Sequence, residues 1–242
     1  MKKLFQFLKL KRQDTKEYFA LKKQGIKKFN EYGLTLFTGR QGAGKTMSMV
    51  FEAERLRKKY KNLYICSNFG YRYDDESLKN LSDIPNVVLR AKSLNKIGVL
   101  ILWDEIQNDF DSFSKVNRDV LRVVTQQRKQ SIKILGTSQV FGRVSKALRE
   151  QTFEVVMCNT LLKRYTKARF YDADEYIHQI EKPETKRKMT RLRTESFVQT
   201  DELRELYDSY SVIKTLSEQA DFEKKNPNNA LAQSIFNRLE NT

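Results

Sequence analysis

One turn of eight residues constrains this chain more than anything else in it: Gly39-Arg40-Gln41-Gly42-Ala43-Gly44-Lys45-Thr46. It matches the pattern G-x-x-x-x-G-K-[ST] at every fixed position. Gly33 to Thr38 ahead of it is β-rich, and Lys45 to Tyr60 behind it carries good helix formers with only Lys and Arg in its last turn. Strand, turn and helix therefore follow in the order that a phosphate-cradling loop requires. Glycines let backbone N–H groups turn inward around an anion, and the helix N-terminus adds its partial positive charge. Gly39 through Thr46 is thus the expected nucleotide-binding set, with Lys45 reaching the β and γ oxygens and the Thr46 hydroxyl ligating Mg²⁺. Arg40, Gln41 and Ala43 fill free positions of the pattern.

A magnesium-nucleotide site also needs a carboxylate on a nearby strand and a group to polarise water. Val99-Leu100-Ile101-Leu102-Trp103-Asp104-Glu105 supplies both at the end of an apolar run. Asp104 is the expected Mg²⁺ partner and Glu105 the expected general base. Trp103 reads as core packing. No N-K-x-D guanine-reading motif follows the loop, so the expected nucleotide is ATP.

Further apolar runs predict strands at residues 62–67, 87–90, 132–137 and 153–158, with helices near 117–129 and 143–150. Alternation of this kind predicts an α/β fold, a RecA-like P-loop NTPase with a three-layer sandwich and a mostly parallel central sheet. Gly33, Gly98 and Gly136 lie at or inside strand edges, where they serve turns and packing. Residues 163–172 alternate basic and aromatic side chains and predict an edge hairpin. Three parts are expected: a basic amphipathic segment over 1–30 with Leu4, Phe7 and Leu8 at helical spacing, an ATPase core over 31–182, and a polar, largely helical extension over 183–242 with helices at 201–217 and 230–239.

Lys and Arg outnumber Asp and Glu 46 to 30, a formal charge of +16 that attracts a polyanion, nucleic acid or anionic lipid. Ten basic residues fall between 2 and 28, and a second run covers Lys182, Lys186, Arg187, Lys188, Arg191 and Arg193. Cys66 and Cys158 sit in predicted strands, which fits a reducing compartment. No apolar run is long enough to span a bilayer and no cleavable signal is visible, so a soluble or peripheral protein that is not secreted is expected. His178, the one histidine, has no metal-ligand or triad context.

Ile132-Lys133-Ile134-Leu135-Gly136-Thr137-Ser138-Gln139 predicts a strand ending in a polar group, and Arg128 stands eleven residues before Gln139. With these residues the sequence resembles the FtsK–HerA superfamily of DNA-pumping ATPases, over roughly residues 33–160. Within it, the short chain is most similar to small genome-packaging ATPases of tailless membrane-containing phages and to the Zot-like proteins of filamentous phages. The resemblance implies that Gln139 senses the γ-phosphate and that Arg128 is a finger reaching into a neighbouring subunit's site. It further implies a homo-oligomeric ring, hexameric by family, acting on double-stranded DNA in the host cytoplasm or at a virion packaging vertex. Filamentous-phage members carry a membrane span after the ATPase domain; its absence here favours packaging. Residues 1–29 are the expected segment for docking to a capsid vertex or membrane. A surface arginine beside Arg122 and Lys129, and a capping glutamine, would present the same sequence.

Overall fold

The computed structural model describes residues 2–23, 25, 29–109, 118–185 and 189–207. It opens with α1 (Lys2–Lys23), followed by β1 (Gly33–Thr38), α2 (Lys45–Lys59), β2 (Leu63–Ser67) and the two-residue β3 (Glu76–Ser77). Next come α3 (Ile84–Ser93), β4 (Gly98–Trp103), α4 (Arg118–Thr125), α5 (Gln127–Gln130) and β5 (Ile132–Ser138). The chain continues through α6 (Lys146–Arg149), β6 (Thr152–Leu161), β7 (Tyr165–Asp172), α7 (Ala173–Glu181), β8 (Arg191–Val198) and α8 (Asp201–Arg204).

One sheet of eight strands runs in the order β3-β2-β4-β5-β1-β6-β7-β8. Pairing is parallel from β3 through β6 and antiparallel for β6–β7 and β7–β8. The period-2 alternation of strands divides the apolar side chains between two faces. Val99, Ile101 and Trp103 meet α3, α4, α6 and α7 on one side. Leu100 and Leu102 meet Met49, Val50, Ala53 and Leu56 of α2 on the other. This is the three-layer α/β sandwich that the sequence predicts. The parallel strands point their carboxyl ends the same way, so the loops after β1, β4 and β5 open on one edge of the sheet.

Glycines at two strand starts permit this packing. A Cβ on Gly98 would lie 2.4 Å from the Phe29 ring and 2.9 Å from the Ser131 carbonyl oxygen. One on Gly33, at φ 108°, would meet the Phe153 ring at 2.8 Å.

Several expectations need correction. Residues 87–90 are not a strand but part of α3: Ile84, Val87, Val88 and Ala91 are buried at i, i+3, i+4 and i+7, and Pro85 sits in the first turn, where its missing N–H costs nothing. The helix expected over 117–129 is two helices broken at Gln126, and that over 143–150 shrinks to α6; Asn117 lies outside the described residues. The 163–172 hairpin forms as β6–β7, but β7 is not the edge, because β8 pairs along it. The sheet thus runs past residue 182, and the extension contributes a strand before its one described helix, α8. Of the helix expected over 201–217, α8 forms at Asp201–Arg204 and residues beyond 207 lie outside the described residues, as does the helix expected at 230–239. Helix α1 is exposed on every side chain described, and Phe5 and Leu10 join Leu4, Phe7 and Leu8 in facing solvent, which makes its apolar stripe broader than the spacing suggests. No described helix is long and apolar enough to cross a membrane.

Candidate active site

The turn after β1 holds its shape through glycine. Gly39, Gly42 and Gly44 adopt φ of 148°, 77° and 84°, backbone that side-chain-bearing residues rarely take. Gly44 also has no room for a side chain, since a Cβ would fall 2.3 Å from Thr160 Oγ1. Helix α2 begins directly at Lys45, so its first N–H groups face the turn. Arg40 and Gln41 are exposed, in keeping with free positions.

Strand β4 carries Asp104 and Glu105 to the same edge. Thr46 Oγ1 donates to Asp104 Oδ1 at 3.1 Å, and Thr137 at the end of β5 donates to the same oxygen at 2.5 Å. Asn68, just past β2, clamps the Asp104 backbone from both sides: its Oδ1 accepts from Asp104 N at 2.8 Å and its Nδ2 donates to Asp104 O at 3.0 Å. Burial raises the Asp104 carboxyl above its usual range, against the lowering effect of the Thr137 and Thr46 hydroxyls. A buried carboxylate so disfavoured is relieved by a cation. A threonine hydroxyl plus one carboxylate suits Mg²⁺, which keeps water and phosphate oxygens for its other positions. Among the described residues no group of three or more His, Cys, Asp or Glu could hold a metal by itself.

Glu105 takes a left-handed φ of 51°, a conformation costing on the order of 1 kcal/mol for a non-glycine residue. Its backbone N–H is fixed to Thr137 Oγ1 at 2.8 Å, and Gln107 Nε2 donates to its Oε2. Its other oxygen lies 3.6 Å from Lys45 Nζ, a lysine only 7% exposed. Four predicted residues thus meet: Lys45, Thr46, Asp104 and Glu105. Trp103 is buried, with its indole N–H on Asp109 Oδ2 at 2.9 Å.

Gln139 stands one residue beyond β5 on this edge and is exposed. Arg128 does not join the cluster. It lies in α5 ahead of β5, at the opposite edge of the sheet, exposed and 5.9 Å from the Tyr32 ring. Seven residues of strand, about 23 Å at ~3.3 Å each, separate that edge from the turn. Arg193 of the second basic run is drawn into ion pairs with Glu52, Glu154 and Glu195, and so is withdrawn from any polyanion. Lys186, Arg187 and Lys188 lie outside the described residues.

A cleft of about 330 Å³ opens beside the turn. Gly42 and Lys45 to Met47 form one wall, and Thr160, Lys163, Gln199, Arg204 and Tyr207 form the other. Sequence reading missed this second wall, along with Asn68 and Thr137. Polar residues at the carboxyl ends of the strands on either side of β4 were the available signal for Asn68 and Thr137, because ligands of open parallel sheets bind at carboxyl ends.

No protein-family model matches the sequence, and no curated protein matches it. Among solved structures, the chain is similar to the N-terminal domain of zonular occludens toxin from Neisseria meningitidis. Identity is 17%, coverage 73% of this chain and 98% of that one, and the TM-score 0.50. It is also similar to the genome packaging NTPase B204 from Sulfolobus turreted icosahedral virus 2 in complex with ATP-gammaS, at 14% identity, 59% and 93% coverage and a TM-score of 0.47. The first likeness is one of fold. Together with the turn and the sheet order, it makes this chain a RecA-like α/β P-loop NTPase fold.

Proposed function

We propose that the protein hydrolyses ATP to move double-stranded DNA, as a genome-packaging translocase whose active sites are completed between subunits of a ring. The observation that carries the proposal is the meeting of Lys45, Thr46, Asp104 and Glu105 at one sheet edge while Arg128 stands at the other. The backbone turn and Lys45 hold the β and γ phosphates. Thr46 and Asp104 hold the metal, which supplies charge neutralisation at the transferring phosphoryl group. Glu105 orients water for in-line attack and takes its proton. Arg128 is too far from its own site to assist there, so it serves as a finger only if a neighbouring copy presents its site to that edge. The resemblance to packaging ATPases supports this ring, a hexamer, and the +16 charge supports a polyanionic track.

The test is mixing. Arg128→Ala alone should bind ATP and turn over at less than a tenth of the wild-type rate, given the 10³–10⁵ that such fingers contribute in other NTPases. Adding Lys45→Ala subunits should restore part of the DNA-stimulated turnover, because intact sites on one variant then face intact fingers on the other. Absence of rescue in mixtures shown to co-assemble, or full activity of Arg128→Ala alone, removes the shared site. ATPase activity indifferent to DNA removes the translocase.

A second reading rests on α1, whose exposed Leu4, Phe5, Phe7, Leu8 and Leu10 sit among lysines. In it the protein docks through residues 1–29 to a membrane or capsid vertex and uses ATP as an assembly switch. Flotation with anionic vesicles, together with DNA-independent hydrolysis, would favour it over translocation.

A further inference from the structure

The wall of the cleft opposite the phosphate turn is built by a part of the chain that the nucleotide motifs do not include. Thr160 Oγ1, at the end of β6, donates to the Ala43 carbonyl of the turn at 3.0 Å and lies 2.9 Å from Thr166 Oγ1. Gln199, just past β8 and 5% exposed, donates through Nε2 to Thr166 Oγ1 at 2.7 Å. Arg204 then donates to Gln199 Oε1 from Nε at 3.3 Å and from Nη2 at 3.0 Å, and its Nη2 also reaches the Lys163 carbonyl at 2.6 Å. Beyond it, Tyr207 pairs with Tyr71 as an antiparallel bridge, and the Leu206 carbonyl accepts from Arg72 N at 2.8 Å. Residues 199–207 therefore cross over the start of α2, from the β8 side of the sheet to the loop after β2.

Arg204 is the unusual member of this strap. It is half-buried, lines the cleft with Lys45 and Thr46, and has no carboxylate within 4 Å among the described residues. Of the other half-buried arginines, Arg55, Arg57 and Arg193 pair with glutamates, while Arg149 and Arg169 have no ion pair among the described residues but do not line the cleft. A guanidinium has five N–H donors. One at Nε and both at Nη2 are engaged by Gln199 and Lys163, which fixes the plane of the fork and leaves the two Nη1 donors without a protein partner among the described residues. A pre-oriented, partly desolvated and uncompensated guanidinium suits a phosphate oxygen.

We infer that Arg204 supplies the bound nucleotide with a second cation from the same chain, facing Lys45 across the cleft, and that residues 199–207 are a strap fastened by the nucleotide's phosphates. The inference rests on the nucleotide reading of the turn and adds a residue to it.

The experiment measures MgATP and MgADP affinity by calorimetry on the full chain, for wild type, Arg204→Ala, Arg204→Gln and Arg204→Lys, with the unfolding temperature of each without nucleotide. Arg204→Gln keeps an amide donor for the Lys163 carbonyl but carries no charge. Loss of charge-assisted hydrogen bonds should weaken MgATP binding about tenfold or more in Arg204→Ala and Arg204→Gln, with partial recovery in Arg204→Lys. A residue that only braces the strap would instead lower the nucleotide-free unfolding temperature in Arg204→Ala and leave Arg204→Gln with wild-type affinity. Affinity of Arg204→Gln within twofold of wild type overturns the inference. A wild-type chain that binds no MgATP overturns the nucleotide reading itself, a different result.

Discussion

The carboxyl edge of the sheet and the patch on its α2 face near the start of β1 and β6 both bury charge, and they treat it in opposite ways. In the lower patch, Lys133 Nζ donates to Thr35 Oγ1 at 2.8 Å and Thr35 donates to Glu154 at 3.2 Å. Arg193 ties Glu154 to Glu52, Arg55 joins Glu52 to Glu31, and Lys59 closes on Glu31. Every carboxylate of the patch has a cation partner, and Lys133 meets Glu154 only through the Thr35 hydroxyl. At the carboxyl edge, Asp104 is held by hydroxyls alone, Lys45 has one partner at 3.6 Å and Arg204 has no carboxylate. Saturated charge holds strands in register. Charge left short of partners marks the place where a ligand supplies the remainder.

Breaking the unsaturated cluster should have the largest effect, and on function rather than folding. Lys45→Ala should abolish nucleotide binding detectable by calorimetry, because it removes the charge that meets the β and γ phosphates. Glu105→Gln should keep MgATP bound while hydrolysis falls about 10²-fold or more, since the base is lost and the cradle is not. Both should unfold within a few degrees of wild type. A Glu105→Gln chain with normal turnover would show that water is activated by another group.

The saturated patch should respond the other way. Glu154→Ala removes one of three carboxylates around Arg193 and the one that Thr35 relays to the buried Lys133, and should cost about 1–2 kcal/mol of stability, below the ~3–5 kcal/mol of a fully buried pair because Arg193 is partly exposed and keeps Glu52 and Glu195. Lys133→Met should cost less, since burial already disfavours the ammonium and a thioether of similar length fills the space. Denaturant unfolding checks the order of the two, and MgATP affinity should stay within about twofold in both. Equal losses would mean that the network is not held by charge.

The difference between the clusters also explains what could be read in advance. The phosphate turn, β4 and their acids were legible because a short motif fixes both backbone and chemistry within a few residues. The Val87-Val88-Leu89 run misled because β-branched residues favour strands, whereas the helical spacing with Ile84 and Ala91 becomes decisive only when a sheet face lies against it. Strand β8 was hidden because inward positions that would normally be apolar are Arg193 and Glu195. Arg193 stacks 3.5 Å from the Phe170 ring and pairs with Glu154, so its role depends on strands far away in sequence. The strap was illegible for the same reason, since Thr160, Gln199 and Arg204 meet the turn only through contacts across the fold.

One buried carboxyl sharpens the comparison with a smaller effect. Asp74 lies between the two kinds of cluster: Ser67 donates to its Oδ2, yet its Oδ1 is buried without a partner among the described residues. Burial, with Asp75 beside it, pushes its pKa up from 3.8 to about 7. A carboxyl raised in the folded state keeps its proton there while the unfolded chain has released it, so folding stability declines between about pH 4 and pH 7 and is level above. Glu31 has the opposite sign: burial alone would raise it, but Arg55 and Lys59 hold it down at about 2, so its contribution is present above about pH 4.5 and is lost as acid approaches pH 2. Asp74→Asn removes the first term and leaves the second. The unfolding temperature of Asp74→Asn should therefore match that of wild type near pH 4 and exceed it by a few degrees at pH 8, with the gap opening across the interval between. A gap that is constant with pH would mean that the Asp74 carboxyl is already ionised in the folded protein. Ser67, which donates to Asp74, also accepts from Tyr71 N at 2.9 Å, and Tyr71 bridges to Tyr207 at the end of the strap. Ionising Asp74 thus loads the loop on which the strap is anchored, and MgATP affinity in wild type should weaken slightly from pH 6 to pH 8 relative to Asp74→Asn.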